Sequence, residues 1–187
     1  MNEPDENQRI AACLGGDVEA FSELVDRHRD AVYNLAYRLC GNSAAAEDVA
    51  QETFIRAYRR LRQYRTAFPF RNWVLGICAN MARSQYRRWR RKRQLEQDYA
   101  EAEALEREPD ANPAGLDPAR RSALERALAT LPVSLRAPIV LRYMEGMSVA
   151  DVAAALGLRE SATKMRLARG RAKLAETLRA DRGGDAS

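Results

Sequence analysis

The sequence has few of the residues that bind metal ions or act as nucleophiles. It contains one histidine, His28, and three widely separated cysteines, Cys13, Cys40 and Cys78. Protein metal sites need several such ligands at short spacing, so we expect no metal site and treat the cysteines as small core or surface residues. His28 has charged neighbours in the sequence, and we expect it to be a solvated helix residue. Because no nucleophile–base pair or glycine-rich phosphate loop is recognisable, we expect neither a cofactor nor an enzyme.

Long apolar runs are also missing. No run approaches the length that crosses a bilayer, and three of the first six residues are acidic, unlike the apolar core of a secretory signal. We therefore expect a cytoplasmic protein without direct membrane insertion. The chain is 46% hydrophobic and 30% charged, a balance typical of a folded soluble protein rather than a disordered one.

Charge is unevenly distributed along the chain. Residues 1–95 carry 17 basic and 11 acidic side chains, and residues 118–187 carry 13 basic and seven acidic ones. Between them, residues 96–117 carry one basic and eight acidic side chains. Two basic blocks joined by an acidic segment indicate two domains that bind polyanions and a connecting segment with another role.

Apolar residues recur every three or four positions through most of the chain, which predicts helices. Gly41 and the polar residues after it indicate a helix end and a new N-cap, and the segment 66–69 indicates a loop before a helix that begins near Phe70. No strand-like alternation persists, and residues 95–117 have the proline-rich, acidic composition of a linker. We predict an all-α protein: two small helical domains, residues 1–94 and 118–187, joined by an acidic flexible linker, residues 95–117.

The C-terminal domain has the pattern of a helix-turn-helix. Ser148 and Asp151 resemble a capping box, Gly157 supplies a tight turn, and Ser161 is expected to cap a second, basic helix. A basic second helix of this kind suits the major groove of DNA. The alternative is a solvated amphipathic helix, or a stand-alone helix-turn-helix regulator that binds duplex DNA as a dimer.

The N-terminal domain carries two polar features. An acidic stripe on the predicted helix 44–61 could bind a basic protein surface or simply favour the helix N-terminus; its members are Glu47, Asp48, Gln51 and Glu52. The next helix combines arginines with aromatic residues, as in proteins that bind phosphates and unstacked bases. There Asn80 could read a base edge, Tyr86 and Trp89 could stack on bases, and Trp73 is expected to be a core residue.

These features, in this order, resemble the extracytoplasmic-function (ECF) group of bacterial sigma factors. The resemblance rests on AEDVAQETFIRAY at 46–58, FRNWVLGICANMA at 70–82, and Leu131-Pro132 followed by LRYMEGMS at 141–148. It covers roughly residues 15–93 and 118–178. The resemblance implies a sigma factor that binds core RNA polymerase, through its beta and beta-prime subunits, and directs transcription from specific promoters.

The resemblance also assigns roles to individual positions. Those implied to bind the polymerase clamp are Asp48, Gln51 and Glu52. Those implied to capture a base of the melted −10 element or hold nearby phosphates are Arg65, Phe68, Phe70, Asn80, Arg83, Arg87 and Arg88. Those implied to read the duplex −35 element are Ser161, Lys164, Met165, Arg166, Ala168 and Arg169. Family members are commonly held inactive by an anti-sigma factor, so we expect one as a partner.

The sequence departs from the family pattern in two places. The recognition helix opens with Ser161-Ala162-Thr163 where Gly-Thr-Val is usual, and Ala168 replaces a larger residue. Pro138 is also unusual: it is tolerable near the first turn of its helix but would kink the helix if it lay deeper.

Overall fold

The structure is a computed structural model that describes residues 4–66, 68–96 and 118–184, without the side chains of residues 4, 87–96, 118–121 and 181–184. Within these ranges the chain forms eight α-helices, one 3-10 turn at Leu61–Gln63 and no strand. The helices are α1 Pro4–Leu14, α2 Val18–Cys40, α3 Ser43–Arg60, α4 Phe70–Glu96, α5 Pro118–Thr130, α6 Val133–Tyr143, α7 Val149–Leu156 and α8 Glu160–Gly184. The all-α prediction is confirmed. Most of the acidic linker lies outside the described residues.

Helices α1 to α4 form an N-terminal bundle whose helix ends follow local capping rules. The Asp17 side chain accepts hydrogen bonds from the Glu19 and Ala20 amides in the first turn of α2, and Gly41, which follows the last residue of α2, has a left-handed φ of 73°. Asn42 then caps α3 by accepting a hydrogen bond from the Ala45 amide. The predicted helix end and restart are therefore confirmed.

Helix α4 packs one side against α2 and α3. Trp73 and Ile77 are only partly buried, whereas Phe70, Val74 and Cys78 are fully buried against α2 and α3. Trp73 packs against the ring of Phe70, with 5.6 Å between ring centroids, which agrees with a core role. On α3, Tyr58 is 45% exposed, although its ring packs edge-on against that of Phe21.

The expectation that His28 is solvated was wrong. Only 6% of the residue is exposed, and its Nε2 lies 2.7 Å from Oε1 of Glu6 in α1. Its ring also lies 5.4 Å from the ring of Phe70. Burial lowers the pKa of His28, and the hydrogen bond with the Glu6 carboxylate, which favours the protonated imidazole, only partly offsets this effect. The charged neighbours in sequence lie on other sides of α2, and α1 covers the imidazole.

Helices α5 to α8 form a C-terminal bundle that contains the predicted helix-turn-helix. The Ser148–Asp151 capping box is present at the start of α7, and Gly157 ends that helix with a φ of 64°. Leu167 and Gly170 of α8 are buried in this bundle. However, α8 begins at Glu160, so Ser161 lies inside its first turn and is not its cap.

Pro138 lies deeper in its helix than the first turn. Helix α6 begins at Val133, so the proline is the sixth residue, and it is buried. It provides no amide for Ser134, the residue four positions earlier, whose carbonyl would otherwise be its partner. Because Ser134 is exposed, water can satisfy that carbonyl.

The two bundles pack against each other, and most of their buried apolar residues form one continuous cluster. Helix α4 contacts both α6 and α7. The buried side chain of Arg136 in α6 donates hydrogen bonds to the carbonyl of Leu39 at 3.2 Å and to that of Leu131 at 2.8 Å. It therefore joins the end of α2 to the C-terminal bundle.

Candidate nucleic-acid interface

The acidic stripe lies on the outer side of α3. Asp48 and Gln51 are exposed and Glu52 is half-buried, while Val49 and Thr53 on the opposite side are buried in the bundle. Oε1 of Glu52 accepts a hydrogen bond at 2.9 Å from Arg56, one turn further along the helix; this residue is therefore already engaged. The stripe presents negative charge to solvent and can contact a basic partner without rearrangement of the bundle.

The predicted −10 residues in the loop before α4 and at the start of α4 differ in their exposure to solvent. Arg65 is exposed and Phe68 is half-buried; the Phe68 amide donates to the Arg65 carbonyl at 3.0 Å, which makes a tight turn. Phe70 is fully buried, with its ring 5.5 Å from that of Tyr64. The expectation that Phe70 contacts DNA directly is therefore corrected: the side chain has no surface to offer and instead supports the loop.

Asn80 and Arg83 lie next to each other one turn apart on α4. Asn80 is exposed, and an NH group of Arg83 donates to its Oδ1 at 3.3 Å. The Asn80 Nδ2 donates to the carbonyl of Gly76 at 3.0 Å and to that of Ala155 in α7 at 2.9 Å. The side chains of Arg87, Arg88 and Trp89 lie outside the described residues, and Tyr86 is 39% exposed.

Most of the predicted −35 residues share the outer side of α8. Exposed there are Ser161, Lys164, Met165, Ala168 and Arg169, whereas Arg166 is half-buried. Thr163 is fully buried, and its hydroxyl donates to the carbonyl of Arg159 at 3.2 Å. The atypical start Ser161-Ala162-Thr163 is therefore compatible with the bundle, because the hydroxyl of Thr163, the buried residue of the three, is hydrogen-bonded.

Reasoning from the sequence missed the residues that join the bundles. Glu145, just before the left-handed Gly146, has a side chain only 6% exposed, and its carboxylate lies 2.6 Å from Arg71 and 3.4 Å from Arg38. Arg71 and Glu145 are 74 residues apart in sequence, so no local pattern could reveal the pair. Among the described residues, no group of His, Cys, Asp and Glu side chains could bind a metal ion, and no helix is long and apolar enough to span a membrane.

Comparison with known proteins identifies the class of these two helical domains. Residues 24–93 match Sigma-70 region 2, and residues 121–174 match Sigma-70, region 4. The chain is 38% identical to the ECF RNA polymerase sigma factor SigE of Mycolicibacterium smegmatis, over 85% of this chain and 62% of that protein. It is 30% identical to SigW of Bacillus subtilis, over 92% of this chain and 96% of that protein.

A solved structure has the same fold. The sigma factor RpoE of Bartonella quintana, in complex with the anti-sigma factor NepR, superposes with a TM-score of 0.68 and 26% identity, covering 88% of this chain and 99% of that chain. The chain belongs to the ECF sigma factors of the sigma-70 superfamily. As a member of that family it acts in promoter-specific transcription initiation, with RNA polymerase and promoter DNA as its partners.

Proposed function

We propose that this sigma factor binds its partners through three separate surfaces. Three residues of the acidic stripe, Asp48, Gln51 and Glu52, bind the clamp of core RNA polymerase. Helix α8 reads the −35 element as duplex, and α4 with its preceding loop reads the −10 element as a melted strand. The supporting observation is where the exposed charged side chains lie. Acidic side chains are exposed on α3 and basic side chains are exposed on α8, and in each helix the opposite side is buried. The proposed domain limits remain residues 1–94 and 118–187, with the linker between them.

Helix α8 is suited to the major groove because its exposed side carries both basic and apolar residues. Lys164 and Arg169 can neutralise phosphates or donate to guanine edges, and Met165, which is 54% exposed, and Ala168 offer apolar contact to thymine methyl groups. Leu167 and Gly170 hold the other side of the helix against the bundle, which fixes its orientation. Arg166, half-buried, and Ser161 in the first turn complete this surface.

The −10 element requires a different contact, because its bases must leave the stack. The amide of Asn80 can pair with a base edge, and Arg83, Arg87 and Arg88 can hold the adjacent phosphates, with Arg65 and Phe68 on the loop beside them. Trapping an unstacked base offsets an unpairing cost of a few kcal/mol. Since polymerase holds both domains on one promoter, neither needs to bind tightly alone.

The same family membership supports control by an anti-sigma factor. The structurally similar RpoE was solved in complex with the anti-sigma factor NepR. We extend this mode of control to the present chain, together with a cytoplasmic location beside the polymerase. The role requires no catalysis by the chain itself, since the polymerase performs the chemistry.

The proposal is tested with purified chain and core polymerase. Run-off transcription from a genomic promoter library identifies the promoter, and gel shifts then compare binding with and without core enzyme. We expect weak, salt-sensitive binding by the chain alone and strong binding with core polymerase. Equal affinity in both cases would contradict the proposal.

A charge reversal isolates the role of the stripe. Asp48→Lys should weaken core binding about 100-fold, because placing like charges together costs several kcal/mol. The matched control is Asp30→Lys, at another exposed acid, on α2, which should leave core binding unchanged. If Asp48→Lys kept full activity, a stand-alone helix-turn-helix regulator would be the better interpretation.

A further inference from the structure

Three aromatic rings from the two ends of the loop before α4 pack together. Tyr64 follows the 3-10 turn, and Phe70 and Trp73 lie in the first turn of α4. The centroid of the Tyr64 ring is 5.5 Å from that of Phe70 and 5.2 Å from that of Trp73. These distances are typical of attractive contacts between aromatic rings. The three rings therefore hold the two ends of the loop against each other.

This aromatic cluster is supported from inside the N-terminal bundle. Phe70 is fully buried, and its ring lies 5.4 Å from that of His28 on the side of α2. His28 is itself held in place, since its Nε2 lies 2.7 Å from Oε1 of Glu6. Because Phe70 contacts both His28 and Tyr64, the position of the Tyr64 ring is fixed by the bundle rather than by the loop.

The hydroxyl of Tyr64 extends from the cluster to the backbone of the loop. It donates a hydrogen bond to the carbonyl of Phe68, four residues further along the chain. The amide of Phe68 donates to the carbonyl of Arg65 at 3.0 Å. In addition, Pro69 disfavours a helical conformation at the residue before it. Both backbone polar groups of Phe68 are thus engaged, and its backbone conformation is restricted.

The ring and the hydroxyl of Tyr64 make separate contributions. A phenylalanine at this position could make the same ring contacts with Phe70 and Trp73. Only the hydroxyl reaches the part of the loop that is accessible to solvent, where Arg65 is exposed and Phe68 is half-buried. The hydroxyl therefore connects the rigid cluster to the residues that have surface to offer to a ligand.

We propose that Tyr64 is a positioning residue for the −10 element: its hydroxyl holds Arg65 and Phe68 in the conformation that receives the melted strand. The inference rests on the function proposed above for this loop. Tyr64 does not have to touch DNA in this role. A loop that is ordered beforehand loses less conformational entropy when it binds, so the hydroxyl strengthens the contacts that the loop makes.

The variant Tyr64→Phe removes the hydroxyl and keeps the ring. The matched control is Tyr33→Phe, the same change at a half-buried tyrosine of α2. Hydrogen exchange at the Phe68 amide, followed by NMR in the full chain, reports on local opening of the loop. We expect exchange about fivefold faster in Tyr64→Phe, which corresponds to the loss of about 1 kcal/mol for one hydrogen bond, and no change in Tyr33→Phe. Unchanged exchange in Tyr64→Phe would overturn the proposal.

A second measurement tests whether the ordered loop matters for DNA. Two DNAs are made from the promoter that run-off transcription identifies: a fork with a duplex −35 element and a single-stranded −10 element, and the −35 duplex alone. Fluorescence anisotropy measures their binding to core polymerase loaded with each full-length chain. We expect Tyr64→Phe to bind the fork about fivefold more weakly and the −35 duplex as the wild type does. Tyr33→Phe should match the wild type on both DNAs.

The outcomes distinguish a positioning role from a general loss of stability. A purely structural role would weaken binding of both DNAs alike, and that result would overturn the proposal. Faster exchange at Phe68 with unchanged fork binding would also overturn it, while the −10 role of the loop would stand. If the wild-type holoenzyme bound the fork no better than the −35 duplex, the −10 role itself would fail, and the inference with it.

Discussion

The contact between α6 and α8 at Gly170 supports a quantitative prediction about how tightly α8, the recognition helix, packs against the C-terminal bundle. A Cβ added at Gly170 would lie 2.8 Å from Cγ1 and 3.2 Å from Cδ1 of Ile139, a residue only 4% exposed. Overpacking of this kind costs about 1–3 kcal/mol. The replacement of glycine by alanine inside a helix contributes about 1 kcal/mol in the other direction. We expect Gly170→Ala to destabilise the C-terminal bundle by about 1 kcal/mol on balance.

A double-mutant cycle separates the two contributions. Ile139→Ala removes both atoms that obstruct the new methyl group, and it costs about 2–5 kcal/mol by itself because the site is buried. In that background Gly170→Ala should become stabilising by about 1 kcal/mol, since only its effect on helix propensity remains. The coupling between the two changes should therefore be about 2 kcal/mol.

Hydrogen exchange followed by mass spectrometry is the suitable assay, because it reports on the peptides of α6 and α8 separately. Both tryptophans, Trp73 and Trp89, lie in the N-terminal half, so tryptophan fluorescence does not follow this region. The reasoning is refuted if Gly170→Ala has the same effect with and without Ile139, because the close approach would then play no part in stability.

Three further predictions concern the caps, the buried histidine and the recognition helix. Ser148→Ala should lower the free energy of unfolding by about 1 kcal/mol and Ser148→Asp by much less, as measured by urea unfolding; equal losses would contradict the capping role. Because burial lowers the pKa of His28, the unfolded state binds more protons below about pH 6.5, so stability should fall as pH decreases through that value. Urea midpoints should show this fall, and His28→Gln should reduce it; an unreduced fall would assign it to other groups. Lys164→Ala should lower the slope of log affinity against log salt by about 0.9 for promoter binding with core polymerase, and an unchanged slope would exclude a phosphate contact.

The parts of the fold that could be predicted from the sequence are those set by neighbours along the chain. A capping box needs only Ser148 and Asp151, three residues apart, and a helix end needs only a residue such as Gly41 or Gly157 that adopts a left-handed conformation. The outward position of the acidic stripe follows from the same short-range periodicity, since Val49 and Thr53 define the buried side of α3.

The predictions that were wrong concern residues whose surroundings are formed by segments distant in the sequence. The sequence around His28 is charged, yet Glu6 of another helix buries it. Phe70 follows a loop that is implied to touch DNA, but the rings of Tyr64 and Trp73 enclose it. The single-residue error at Ser161 is of another kind, because serine is favoured both as a cap and in the first turn of a helix.

Helix α1 has a practical consequence for work on isolated fragments of this protein. The match to Sigma-70 region 2 begins at residue 24, after the whole of α1. A fragment trimmed to that limit would lose Glu6, whose carboxylate contacts His28, and the core residue Ile10, which is only 2% exposed. The smallest piece that retains the native N-terminal bundle therefore includes residues that the family match leaves out.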